Sequence, residues 1–307
     1  MAEGNVPVLI GIPFDGQSSY MRGAADAPPK IREAMKCDAS NLWTELGVDL
    51  SAERVYEDAG DLEFAEVRGS GGELPHPSTG SGQAFSQNRG EMGHPQVVGH
   101  PMPDGNSPVF SAIRTAIGGL IDAGKRPVSL GGDHSITFPI VKAVAKRHPG
   151  LTIFHFDAHP DLYDEFEGNR LSHACPFARI MEAGLAKRLV QVGIRTANRH
   201  QREQAARFGV EIVEMRGLPA YEKLKADGPV YLTFDMDLLD PAFAPGISHR
   251  EPGGMTVREA IAHLHAIQGR IVGADVVEFN PVRDVSGMTA TVAAKILKEI
   301  LGKMIAG

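Results

Sequence analysis

Six side chains of the kinds that bind metal ions stand in three short motifs of this 307-residue chain: GGDHS at 131–135, DAHPD at 157–161 and DMD at 235–237. His134, Asp157, His159, Asp161, Asp235 and Asp237 offer two imidazoles and four carboxylates. That mixed nitrogen and oxygen set suits two divalent first-row ions such as manganese, with cobalt, nickel and iron also compatible. Asp235 and Asp237, on one side of a strand tip, would repel each other strongly without a cation between them. Asp157, His159 and Asp161 alternate, so an extended chain running on past its strand would project all three to one side. Four aspartates and one bridging hydroxide bring two dications close to neutrality, which favours capture of hydroxide from water near pH 7. A metal-activated water is then the nucleophile, and no serine triad or catalytic cysteine is required. GISHR at 246–250 lacks the surroundings of a nucleophile elbow. Asp240, before Pro241, reads as a turn or cap rather than a ligand, and Asp133 and Ser135 as supports of the GGDHS loop.

Elements that could carry such a site are visible in the hydropathy pattern. Short runs rich in Val, Ile, Leu and Phe recur at 7–12, 127–130, 151–156, 189–194, 210–213, 229–234 and 271–277 and read as strands buried on both faces. Helical patterns at 109–123 and 136–147 lie between them and end near Gly124 and at His148-Pro149-Gly150. Strand and helix alternating at this spacing imply right-handed βαβ units and one parallel sheet with helices on both faces. Ligands bind beyond the carboxyl ends of such strands, and all three motifs fall there. Residues 69–107 break the alternation: they are dense in Gly, Pro, Ser, Gln and His and lack periodicity, as an inserted surface loop would. Its His76, His94 and His100 read as solvated histidines rather than ligands. The alternation resumes afterwards, so 1–307 is expected to be a single domain with an insertion.

Composition narrows the function. A formal net charge of −7 argues against a general nucleic-acid binder and weakly favours cationic small molecules. Cys37 and Cys175 are too few for a disulfide framework, and the N-terminal MAEGNVPVLIGIP has neither a basic leader nor the roughly 20 apolar residues needed to span a bilayer. A cytoplasmic protein with no membrane partner is the expectation.

Longer stretches go further. GGDHS, DAHPDLYDEFEGNRLSHA, FARIMEAG, QVGIRTAN, DMDLLDPAFAPGISHREPGG and GADVVEFNPVRDVSGMTA are similar to the ureohydrolase (arginase and agmatinase) family over nearly the whole chain apart from 69–107, and most resemble arginases of the plant type. The resemblance implies a three-layer α/β/α sandwich on an eight-stranded, mainly parallel sheet. It also implies hydrolysis of a guanidinium to urea and an amine at two manganese ions per subunit, in a homotrimer or homohexamer. Carried over residue by residue, one ion falls to His134, Asp157, Asp161 and Asp235, and the other to His159, Asp157, Asp235 and Asp237. Asp161 would also orient the hydroxide. His173 in SHA matches the proton-shuttling histidine, and Glu278 in DVVEFNP matches the glutamate that accepts the guanidinium; a carboxylate suits that fork because it can bind it bidentately. A guanidinium stays protonated in water (pKa above ~12) and is a poor electrophile, so a strong nucleophile and a proton for the leaving amine are both needed.

Arginine and agmatine differ in the α-carboxylate, so discrimination belongs at the crevice mouth. Asn198 in GIRTAN, Asn169 in EGNRLSHA and His249 are the candidates for contact there, with loop-structuring roles as the alternative for the two asparagines. His249 and Arg250 replace the Thr-Pro found after DMD in many ureohydrolases, and Arg250 is read either as altering substrate length or as pairing with Glu251. The resemblance favours L-arginine. Agmatinase, guanidinobutyrase and formimidoylglutamase are the nearest alternatives, followed by a metal-dependent deacetylase and a non-catalytic metal-stabilised binding protein.

Overall fold

In the computed structural model, which describes residues 6–38, 40–64 and 107–307, eight strands lie side by side in one sheet. They are β1 Pro7–Gly11, β2 Glu57–Asp61, β3 Arg126–Leu130, β4 Thr152–Phe156, β5 Arg188–Ile194, β6 Glu211–Glu214, β7 Lys225–Asp235 and β8 Gln268–Val277. Every pairing is parallel, in the order β2-β1-β3-β8-β7-β4-β5-β6. Seven strands coincide with the apolar runs of the sequence. The eighth, β2, does not: its EDAGD is exposed at all five positions, so no hydrophobic signal marks it. This edge is held instead by charge, with Arg32 donating to Asp58 at 2.9 Å and to Asp61. Acidic side chains along an edge also discourage pairing with foreign strands.

The helices are α1 Ala27–Met35, α2 Pro108–Asp122, α3 Thr137–Arg147, α4 Pro176–Glu182, α5 Arg199–Phe208, α6 Val257–Ala266 and α7 Met288–Ala306. Helices α1, α6 and α7 bury Ile31, Leu264 and Ile296 against one face of the sheet, which presents Phe154, Phe156 and Phe234. On the opposite face, α2 to α5 bury Ile113, Val141, Phe177 and Ala205 against Ile153 and Leu189. Each fully buried Phe or Ile contributes roughly 1.5–3 kcal/mol of hydrophobic stabilisation. The three-layer α/β/α sandwich is therefore the observed architecture. Local chemistry fixes the helix ends: capping boxes open α5 (Asn198 with Gln201) and α6 (Thr256 with Glu259), and Gly209 in the left-handed region closes α5. No described helix is long and apolar enough to cross a membrane. The 69–107 stretch lies outside the described residues except for Ser107, and His76, His94 and His100 lie outside them too.

What matters for function is the middle of the sheet. Strands β3, β8, β7 and β4 are consecutive neighbours, and their carboxyl ends lead into GGDHS, Glu278, DMD and DAHPD respectively. Motifs more than a hundred residues apart in sequence thus open into one crevice.

Candidate metal centre and crevice

The turn after β3 depends on glycine. Gly132 has φ +86, and a Cβ there would lie 2.4 Å from the Phe14 carbonyl oxygen, so only glycine delivers His134 at this point. Asp133 then ties the loop down as expected: its Oδ1 accepts the Ser135 N–H at 3.1 Å, and its Oδ2 accepts the Gln17 N–H at 2.9 Å.

Four of the predicted ligands meet at His134. Its Nδ1 lies 3.1 Å from Asp157 Oδ2, 3.1 Å from Asp161 Oδ2 and 3.1 Å from Asp235 Oδ2, yet this buried nitrogen makes no hydrogen bond. Donors about 2.1–2.2 Å from one ion and at right angles around it lie about 3.0–3.1 Å apart. The spacing therefore fits a shared cation. On the other side of the ring, Nε2 sits 3.0 Å from Thr233 Oγ1; a hydrogen placed there leaves Nδ1 as a lone-pair ligand. A second group adjoins the first: His159 Nδ1 lies 2.8 Å from Asp237 Oδ2 and 3.5 Å from Asp157 Oδ1. The two oxygens of Asp157 thus face two different donor groups, which is the disposition of a bridging carboxylate. Asp157, His159 and Asp237 form one of the candidate metal clusters among the described residues.

Electrostatics support the fit. Burial, then the charges of Asp237 and Asp157, raise the Asp235 carboxyl well above its usual range; burial leads the upward shift of Asp237 as well. Burial works against charge on His134, but the carboxylates of Asp157, Asp161 and Asp235 gathered 3.1 Å from its Nδ1 outweigh it and raise that imidazole well above its ordinary value. So much buried negative charge calls for cations.

The route by which Asp161 arrives differs from the expectation. The extended chain ends at Phe156, and Asp161 has φ +48. Its carboxylate reaches the cluster through a turn in the left-handed region rather than by alternation along a strand. Glu278 has φ +63. Two non-glycine residues held in this costly conformation, both aimed into one crevice, are the kind of strain that functional sites retain.

His173 and Glu278 close the crevice. His173 Nδ1 lies 3.1 Å from Glu278 Oε1 and its Nε2 lies 2.9 Å from Ser19 Oγ; Glu278 Oε1 also accepts the His134 N–H at 2.8 Å. Glu278 is thus paired with His173 rather than with a local arginine such as Arg283. The crevice has a volume of about 220 Å³, with Tyr163, Thr196, Gln201 and Glu251 along its wall beside the predicted residues. Sequence reasoning missed these four and Ser19, because single polar residues scattered over separate loops and, for Gln201, the first turn of α5 carry no spacing signal. His249 is in the lining, with its ring 5.1 Å from that of His173 and 5.9 Å from that of His159.

Asn169 and Asn198 stand behind the wall. Asn169 donates to Gln17 Oε1 at 2.6 Å. Asn198 accepts the Gln201 N–H at 2.9 Å and donates to the Tyr163 hydroxyl at 2.6 Å. Arg250 donates to the Pro245 carbonyl at 3.1 Å and lies outside the crevice lining. Asp240 forms a turn, accepting the N–H groups of Ala242 and Gly253 at 2.9 and 2.6 Å. Both cysteines are free, and burial pushes the Cys175 thiol up to about 12, so it is no nucleophile at neutral pH.

Comparison with known proteins agrees with this geometry. A family model described as "Arginase family" matches residues 6–302. "Arginase 1, mitochondrial" of Arabidopsis thaliana is 44% identical over 306 residues, covering 96% of this chain and 80% of its own length. "Agmatinase" of Bacillus subtilis is 33% identical, covering 96% and 90%. The solved structure of arginase from Medicago truncatula superposes with a TM-score of 0.83 at 43% identity, covering 99% of this chain and 89% of that one. Plant relatives carry mitochondrial or chloroplastic/mitochondrial names, which overturns the expectation of a cytoplasmic protein. That expectation rested partly on unpaired cysteines, and reduced thiols call only for a reducing environment, which is not unique to the cytoplasm.

Proposed function

The chain belongs to the arginase family, hydrolases that act on C–N bonds of linear amidines, and from that premise we propose that it converts L-arginine to L-ornithine and urea with two Mn2+ per subunit. His134, Asp161 and Asp235 would hold one ion, His159 and Asp237 the other, with Asp157 and Asp235 shared. Ions bound there would supply a nucleophile derived from water at neutral pH. The carboxylate-rich donor set suits manganese and equally admits cobalt, nickel and iron, so manganese rests on family resemblance. A homotrimer or homohexamer rests on family resemblance.

The chain's own residues account for the rest of the reaction. Glu278 offers a buried carboxylate to the guanidinium, which orients the electrophilic carbon above the acidic cluster and selects guanidines over neutral amides. His173 touches Glu278 at one nitrogen and Ser19 at the other, so its proton lies where the departing amine must pick one up. Asp161, beside His134, would orient the attacking oxygen. His249 and Tyr163 line the path to the mouth. Asn198 would act on the α-amino end through the Tyr163 hydroxyl, and Asn169 through the loop it shares with Gln17.

The convergence of Glu278, His173 and both donor groups in one crevice carries this reading. Identity to plant arginases supports arginine as the substrate. One observation favours agmatine as a second reading: among the described residues no lysine or arginine lines the crevice to neutralise an α-carboxylate. Purified protein loaded with Mn2+ and offered arginine, agmatine, 4-guanidinobutyrate and formiminoglutamate distinguishes them. Arginine is expected to show the highest kcat/KM for urea release; faster turnover of agmatine selects the second reading, and no urea or formamide from any substrate overturns both.

A further inference from the structure

Gln191, His155 and Thr233 are register partners on β5, β4 and β7. Their side chains form a fully buried polar row across the sheet. Nothing in the proposed reaction uses Gln191 or His155, and buried polar groups in a sheet interior are costly unless they serve a purpose.

The contacts indicate one. His155 Nε2 lies 2.6 Å from Asp157 Oδ2, the same oxygen that faces His134. His155 Nδ1 lies 3.0 Å from Gln191 Nε2, and that amide nitrogen also donates to the Pro160 carbonyl at 2.5 Å. An amide nitrogen has two hydrogens to donate and does not accept. Turning the amide over would set its oxygen against the Pro160 carbonyl oxygen, so the orientation is fixed. Gln191 Oε1 finds no partner among the described residues, a sacrifice consistent with both hydrogens being needed. His155 therefore accepts at Nδ1 and carries its proton at Nε2, aimed at Asp157. Phe177 of α4 holds the ring plane: it stacks on His155 with centroids 3.9 Å apart and meets His134 edge-on at 5.2 Å.

We infer that Gln191 and His155 are positioning residues for the metal centre: Gln191 sets the tautomer of His155, and His155 holds Asp157 so that its two oxygens face different ions. Through Pro160, Gln191 also fastens the loop that carries His159 and Asp161. The inference rests on the metal reading proposed above. Groups that orient metal ligands in this way typically change metal affinity about 10–100-fold when removed.

Calorimetric titration of the chelator-treated protein with Mn2+, backed by elemental analysis after dialysis, is the test. Thermal unfolding of the metal-free protein reports folding separately. His155→Phe keeps the ring volume and the stack on Phe177 but has no donor; Gln191→Met keeps the length but releases the tautomer. Each is expected to weaken Mn2+ binding about 10–100-fold while the metal-free protein stays folded. His155→Gln, whose amide can still donate to Asp157, is expected to recover most of the affinity. A wild-type protein that binds two ions alongside folded variants that bind them equally well overturns the inference and leaves the metal reading standing. Weakening that His155→Gln fails to recover also overturns it. A wild-type protein that binds no Mn2+ overturns the metal reading, and the inference falls with it.

Discussion

His173 Nδ1 and Glu278 Oε1 sit 3.1 Å apart in the crevice, and each sustains the other's charge. Burial opposes a charged His173, but the hydrogen bond and charge of Glu278 raise its pKa to about 9. Burial likewise opposes a charged Glu278, but the hydrogen bond and charge of His173 hold it near about 2. On the proposed reaction, a guanidinium arriving at Glu278 would take over the role of His173 as counter-ion. The imidazolium would then lose its partner as the leaving amine needs a proton, which would link substrate binding to proton donation.

Removing the carboxylate charge at this point tests that link. Glu278→Gln keeps the shape and loses the bidentate charged acceptor, so kcat/KM is expected to fall about 10²–10³-fold, matching the roughly 2–5 kcal/mol lost when one partner of a buried charge pair is removed. His173→Ala is expected to lower kcat about 10²–10⁴-fold, the usual share of general acid catalysis. Elemental analysis should find two ions in both variants. Wild-type turnover in either one removes that residue from the reaction.

The pair also makes stability depend on pH. The folded pKa of His173 is raised above its unfolded value near 6.5, so its contribution is complete below that pH and disappears as pH climbs through about 9. Glu278 is depressed, so its contribution is complete above its ordinary value of 4.5 and disappears as pH falls through about 2. Urea unfolding of chelator-treated protein at pH 6 and pH 9.5 should therefore differ by roughly 1–3 kcal/mol, with the acidic condition more stable. In His173→Gln that alkaline slope should flatten; an unchanged slope would assign the dependence to other groups.

Asp157 faces both donor groups, so one truncation is expected to affect two ions. Asp157→Ala should drop the metal content from two per chain to less than one and abolish urea release. Asp237→Ala, which touches only the His159 group, should retain one ion. If Asp157→Ala keeps its full metal content, the bridging assignment is wrong.

Much of this was legible in the sequence because the strands are buried on both faces: TIFHF and the end of β7 read as continuous apolar runs, and the ligand motifs follow them directly. Strand β2 escaped notice because EDAGD buries nothing and is held by Arg32 from another element. Asp161 was identified by type and spacing, but its left-handed turn depends on tertiary context that alternation cannot encode. Asn198 in GIRTAN left two readings open, substrate contact and loop structuring, and tertiary structure adds to both: its oxygen caps α5 while its amide donates to Tyr163 in the crevice lining. His155 lay inside a motif already read as strand, and its meaning emerges only once β5 brings Gln191 alongside.

Far from the crevice, Glu299 on α7 gives a prediction about stability alone. Its side chain is fully buried and accepts the Glu45 N–H at 3.1 Å, Lys295 Nζ at 2.6 Å and His265 Nε2 at 2.8 Å. One carboxylate thus joins the segment around Glu45 to both α6 and α7. Burial opposes its charge, but these donors, Lys295 first, keep its pKa below the ordinary value. Glu299→Ala strands the Glu45 N–H and the His265 donor, while Lys295 keeps its ion pair with the Glu45 carboxylate at 3.1 Å, and the expected cost is about 2–4 kcal/mol of unfolding free energy. Glu299→Gln keeps an acceptor and should cost about half as much, because only the charge is lost. Both should bind two ions and release urea at the wild-type rate at 25 °C, since among the described residues the partners of Glu299 are Glu45, Lys295 and His265, none of them a proposed ligand or crevice residue. A lower urea midpoint with unchanged metal content would confirm a purely structural joint. Loss of metal or turnover in a folded variant would mean that α7 communicates with the crevice through β8, which its packing alone does not predict.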